Sequence, residues 1–211
     1  MTNRTCVGAV QTNRLRVTRL TSGGYPDAGA SNLYVTDSVI EIGSNPVYAD
    51  GSDLEQRNGS DVVCVAYKGP DSYKRHDLTT SLCTLDGELL ELLCSQDRIL
   101  SGGNTIGSKF QTDPNTDYVC LEAWQTVIED GEPTGEYVQW VWPRTRWRPG
   151  QNTRNNGILT IPLVGTGFAN SNIGLGPAGD WPVACTAPEQ WFITSTIPSA
   201  SCGYQTALVG S

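Results

Sequence analysis

Short runs of β-branched and aromatic residues recur along this chain, each closed off by Gly, Pro, Asn, Asp or Ser, and one stretch alone shifts to a helical period. That pattern points to a mainly β architecture carrying one short helix. In RLRVTRL (14–20), Leu15 and Val17 fall on one face and Arg14 and Arg16 on the other, the period of a half-buried strand. A turn cluster, Ser22-Gly23-Gly24-Tyr25-Pro26-Asp27, follows. LYVTDSVIEI (33–42) and DVVCVAYK (61–68) read as the next two strands. Between them, Gly43 to Ser60 is rich in Gly, Asn, Asp and Ser and reads as a long polar loop. Loops of that length are uncommon in compact domains unless they have a task.

Further strands are expected at 72–83, 117–128, 136–142, 158–164 and 189–197, with Glu129-Asp130-Gly131-Glu132-Pro133 as a slightly long hairpin loop and 101–108 as a Gly-rich loop. The helical stretch is TLDGELLELLCSQ, where Leu85, Leu89, Leu92 and Leu93 share a face and Thr84 or Asp86 can cap the start. Seven or eight strands with one flanking helix read as a β-sandwich or partly closed barrel. No break in composition divides it, so residues 1–211 are expected to form one domain.

Charge and cysteine usage narrow the function classes. The net charge is −8, which disfavours binding to phosphates by neutralisation. The charge is segregated: Arg4, Arg14, Arg16 and Arg19 lie together, as do Arg144, Arg146, Arg148 and Arg154, with carboxylates between them. Opposite patches of this kind can meet between copies of one chain, and head-to-tail contacts of that sort make rings or filaments. The seven cysteines include no C-x-x-C pair, and Cys64 and Cys120 sit in apolar alternating runs as expected of small buried residues. No stretch reaches the roughly 20 apolar residues of a membrane helix, and Met1 to Arg14 lacks a signal-peptide core.

The candidate catalytic motifs fail on context. His76 is the one imidazole, and no G-x-S-x-G accompanies it. Gly102 to Lys109 lacks the spacing and following helix of a phosphate loop. Gly174-Leu175-Gly176-Pro177-Ala178-Gly179 matches G-x-G-x-x-G literally, but Pro177 interrupts it and Asp180-Trp181-Pro182 stands where a helix should begin. Carboxylate pairs such as Glu88 with Glu91 and Glu129 with Glu132 keep a glycosidase-like hydrolase open as one alternative. The six tryptophans keep a second open, a monomeric or trimeric carbohydrate-binding or adhesion β-sandwich, although core or interface packing accounts for them more simply. No enzyme activity, metal or cofactor is expected.

The order of these features resembles the major tail tube proteins of long-tailed phages, especially those infecting actinobacteria. The resemblance rests on Arg16-Val17-Thr18-Arg19-Leu20 with the Gly24-Tyr25-Pro26 turn, Tyr34-Val35-Thr36, and the long polar loop before Val62-Val63-Cys64-Val65. It continues through Leu82-Cys83-Thr84-Leu85-Asp86 into Glu88-Leu89-Leu90-Glu91-Leu92-Leu93, then Trp142-Pro143 and the stretch ending Asp180-Trp181-Pro182. One departure is Gly87, where family members often carry Pro near the helix start.

The resemblance implies a sandwich whose sheets join between six subunits into a ring barrel, the rings stacking into a hollow non-contractile tail. Its partners would be further copies of itself and the tail terminator, tip and tape-measure proteins. Double-stranded DNA would pass through an acidic lumen without specific binding. The protein would be assembled in the bacterial cytoplasm and reside in the virion tail, with no membrane partner. Inter-ring contacts are then expected from Tyr48, Asp50, Asp53, Glu55 and Arg57. Subunit contacts are expected from Arg14, Arg16, Arg19, Arg144, Arg146 and Arg148. Lumen candidates are Asp37, Glu41, Glu122 and Gln139.

Overall fold

The structure, a computed structural model, describes residues 8–27, 29–110, 112, 117–151, 160–198 and 202–205. Arg4, Cys6 and Arg154 lie outside the described residues. The chain is mainly β with one α-helix. The strands are β1 (Gly8–Leu20), β2 (Leu33–Thr36), β3 (Val39–Ala49), β4 (Asp53–Arg57), β5 (Val63–Lys68), β6 (Ser72–Leu82), β7 (Asp97–Ser101), β8 (Asn104–Lys109), β9 (Tyr118–Glu129), β10 (Glu132–Pro149), β11 (Ile161–Phe168), β12 (Gln190–Thr194) and β13 (Cys202–Tyr204). Helix α1 spans Gly87–Cys94, and a 3₁₀ turn covers Ser171–Ile173.

Nine strands make one antiparallel sheet, in the order β13-β2-β1-β9-β10-β11-β6-β3, with β12 also on β10. The 18-residue β10 organises it. β9 holds one edge of β10, while β12 pairs with Tyr137–Val141 and β11 with Arg144–Pro149 along the other. The sheet curves so that Leu15, Val17, Leu121 and Trp142 from one half face Leu78, Leu82 and Leu163 from the other. Helix α1 fills the space between, burying Leu89, Leu90, Leu92, Leu93 and Cys94 in the same cluster. Each such leucine contributes about 2 kcal/mol of hydrophobic burial. This arrangement is consistent with a β-sandwich.

Asp86 starts α1. Its carboxylate accepts from the backbone N–H groups of Glu88 and Leu89 at 3.0 and 3.2 Å and from the Tyr34 hydroxyl. Burial, then this carboxylate, raise the Tyr34 pKa above the usual phenol value. Ser95 in the left-handed region (φ 52°) ends the helix.

Several expectations are corrected. Residues 33–42 divide into β2 and β3 around Asp37 and Ser38. The polar stretch 43–60 is strand over most of its length, since β3 runs on to Ala49 and β4 pairs with β5. The Gly-rich stretch 101–108 is the β7–β8 hairpin, turned at Gly102 and Gly103, both with positive φ. The β9–β10 loop is tighter than expected, a two-residue turn with Asp130 at φ 51° and Gly131 at φ 87°, which matches the right-handed twist of the strands. Leu85 precedes the helix and is exposed.

Candidate functional site

The face of β1, β9 and β10 turned away from α1 carries a buried ion cluster. β1 pairs with β9 so that Arg16 sits directly opposite Glu122. Arg16 donates from Nε to Glu122 Oε2 at 2.6 Å and from a terminal nitrogen to Oε1 at 2.7 Å, a bidentate fork. The same terminal nitrogen reaches both Asp180 oxygens at 3.0 and 3.1 Å. Glu122 Oε1 also accepts from Gln139 Nε2 at 2.9 Å and Trp181 Nε1 at 2.8 Å. The Arg16 guanidinium lies 5.1 Å from the centre of the Trp124 ring. Burial opposes the charge on Arg16, yet Glu122 and Asp180 outweigh it, and the net direction is upward. Around the cluster, Leu20, Cys120, Val141, Ile173, Trp181, Cys185 and Phe192 form a second apolar core. The cluster therefore fastens the 170–185 segment to the sheet.

This overturns three sequence expectations. Arg16 is spent inside its own chain and is not a surface contact. Glu122 and Gln139 are fully buried and line no open channel in this subunit. The reason is register: Glu122 lies between two β-strands, under Trp181, where an unpaired carboxylate would be costly. Gly176 packs against the Trp181 ring so closely that a Cβ would fall 2.4 Å from it, so this glycine serves packing and not a dinucleotide.

The other basic residues divide. Arg14 lies 3.8 Å from Asp37, and Arg19 is half-buried. Arg144 lies over the Tyr118 ring at 3.9 Å, and Arg146 reaches the same ring at 5.7 Å. Arg146 and Arg148 are exposed on alternate positions of β10, on one face. Asp37 and Glu41 are exposed near the start of β3, and Glu41 accepts from Ser81 Oγ at 3.1 Å.

The most exposed element is an arm. β3 and β6 extend beyond the sandwich and continue into the β4–β5 hairpin, a separate two-stranded sheet. Its tip is closed by Asn58, whose side chain accepts from Ser60 N at 2.9 Å and Val62 N at 3.0 Å. All eleven residues of β4 and β5 are exposed. Register divides them into two faces. Leu54 pairs with Tyr67 and Gln56 with Val65 on one face, while Asp53 pairs with Lys68 and Glu55 with Ala66 on the other. Leu54, Val65 and Tyr67 are 54–60% exposed. At the base of the arm the Tyr48 and Tyr73 rings meet edge-on, centres 6.0 Å apart. Of the expected inter-ring residues, Asp53, Glu55 and Arg57 thus share the arm's strand β4, with Tyr48 and Asp50 at its base. Leu54, Val65 and Tyr67 were missed: Val65 and Tyr67 stand two apart in a run read as a strand, whereas Leu54 is a lone apolar residue among polar ones.

The cysteines also divide. Cys94, Cys120 and Cys185 are buried, whereas Cys64, Cys83 and Cys202 are exposed, which corrects the expectation for Cys64. Burial pushes Cys94 up to about 12 and raises Cys120 and Cys185 as well. Among the described residues, no group of three His, Cys, Asp or Glu side chains is arranged to hold a metal ion, and no helix is long and apolar enough to cross a membrane.

No family model matches the chain, and no curated protein compared with it is similar.

Proposed function

We propose that this chain is a structural subunit that assembles with copies of itself, the major tail tube protein of a long-tailed phage, in stacked six-fold rings around a DNA channel. The observation that carries the reading is the β4–β5 arm. A lone two-stranded hairpin is marginally stable in water, and this one leaves a row of Leu54, Val65 and Tyr67 uncovered. Docking on a neighbouring copy would bury that row. The outermost strands of the sheet, β13 and β3, each have one paired neighbour among the described residues, which leaves edges that ring closure would satisfy. A net charge of −8 suits a channel that DNA crosses without adhering. Asp37 and Glu41 are then the lumen candidates, and Arg146 and Arg148 the exposed basic contacts. The terminator, tip and tape-measure partners and the residence in the virion tail belong to the same proposal.

A glycan-stacking module has less support. Trp124, Trp142, Trp147 and Trp181 are buried, and Trp191 alone is broadly exposed.

The test is to replace Asp50–Pro70 by two glycines, which removes both arm strands and leaves the β3–β6 pairing. Negative-stain microscopy and sedimentation at high protein concentration should give rings or tubes for the parent chain and folded monomers for the variant. Tubes from the armless variant, or a parent chain that stays monomeric, would refute the reading.

A further inference from the structure

The sandwich has a seam where β3 approaches β1, β9 and β10, and a cavity of about 250 Å³ opens there. That is below the roughly 300–1,000 Å³ of sites for drug-sized ligands, so the occupant is small. Trp140, Trp142, Gln125, Ser44 and Glu189 line it.

The polar groups of this cavity are turned inward on one another. Trp140 Nε1 donates to Gln125 Oε1 at 2.8 Å, and Trp142 Nε1 donates to Glu189 Oε2 at 2.8 Å. The Ser44 hydroxyl donates to the same Glu189 oxygen, and the Gln125 amide is turned to Thr12 Oγ1 at 3.5 Å. His76 Nε2 approaches Glu189 Oε2 at 3.8 Å. Both indole donors and the Ser44 hydroxyl are therefore engaged, and one of the two Gln125 amide N–H groups is turned to Thr12. What faces the cavity is dominated by acceptor capacity and aromatic surface. Glu189 Oε1 has no partner among the described residues. A sugar needs donors as well as acceptors, and an anion needs donors only. An organic cation needs a carboxylate and ring faces.

We propose that this seam is a receptor for a small organic cation, an alkylammonium or guanidinium group, with Glu189 as its counter-ion and Trp140 and Trp142 as its walls. The inference does not rest on the tube reading and survives or fails separately from it. The cation can come from a basic side chain of a second copy or from a free amine.

The experiment follows the six indole N–H signals by NMR while n-butylammonium chloride is titrated at constant ionic strength. Saturable shifts confined to the Trp140 and Trp142 signals, in the millimolar range, are expected. Glu189→Gln should weaken binding about tenfold while leaving the other indole signals in place. The neutral isostere n-butanol, which needs no variant, should bind far more weakly than the ammonium. The proposal is overturned if no saturable shift occurs, if butanol matches butylammonium, or if Glu189→Gln binds as well as the parent. The two sources are separated by sedimentation of assemblies at saturating butylammonium. Dissociation assigns the site to a neighbour's basic side chain, and unchanged assemblies assign it to a free amine.

Discussion

Gly51 and Gly69 face each other at the neck of the arm so closely that a Cβ on Gly51 would fall 1.8 Å from the Gly69 carbonyl oxygen. Gly69 N donates to Ser52 O at 2.9 Å, which holds the two backbones together. Gly51→Ala is expected to force the neck apart, at about 1–3 kcal/mol of overpacking cost. The effect should stay local, because the arm lies outside the core. Hydrogen exchange should show faster exchange across 51–70 with little change in α1 or β9. Gly69→Ala, whose Cβ would meet Ser52 Oγ at 3.3 Å, should do far less.

The Arg16–Glu122 pair makes a sharper stability prediction. Arg16→Met leaves Glu122 buried with only Gln139 and Trp181 as partners, and should cost about 3–5 kcal/mol. The double change Arg16→Met with Glu122→Leu removes both charges and should cost much less than the two single changes added together. Asp180, whose side chain is 37% exposed, can then turn to water. Urea unfolding of the four proteins measures the coupling directly.

Buried thiols give the folded chain an alkaline limit. The folded pKa of Cys94 is raised from 9.0 to about 12, so the unfolded thiol ionises first. Its stabilising contribution is complete below about pH 9 and is lost as pH rises toward 12, with a slope of up to about 1.4 kcal/mol per pH unit. Cys120 and Cys185 act in the same direction. Unfolding midpoints measured from pH 8 to 11 should fall, and Cys94→Ala should flatten part of the decline. At pH 8, Cys64, Cys83 and Cys202 should react quickly with a thiol reagent while the buried three are protected.

How much of this was readable beforehand depends on burial. Helix α1 was legible because one face meets the core, and β1 and β9 because both of their faces pack against apolar clusters, which fills them with β-branched and other apolar residues. The β4 half of the arm was not, because both of its faces meet solvent and polar residues dominate it. The cluster at Arg16 was hidden for a different reason. Arg16 and Glu122 are 106 residues apart, and no local pattern encodes which strands pair or in what register. A signal did exist: Glu122 interrupts the otherwise apolar run Tyr118-Val119-Cys120-Leu121, Ala123-Trp124. A lone charge in a buried strand requires a partner of opposite sign, and Arg16 stood in the same predicament. The seam cavity was half legible, since Trp140 and Trp142 were recognisable as one face, whereas Glu189 arrives from the far end of the chain.

The strand order also sets a timetable for synthesis. β3 and β6 are separated in sequence only by the arm and can pair as soon as residue 82 is made, presenting the arm with its leucine, valine and tyrosine uncovered. β1 can pair early with β2, but its other edge must wait for β9, and β2 remains an edge until β13 arrives at Cys202–Tyr204. Non-local pairing of this kind closes slowly. The nascent chain therefore exposes the arm's apolar row well before its sandwich can form, and contact between growing arms is a route to aggregation during synthesis.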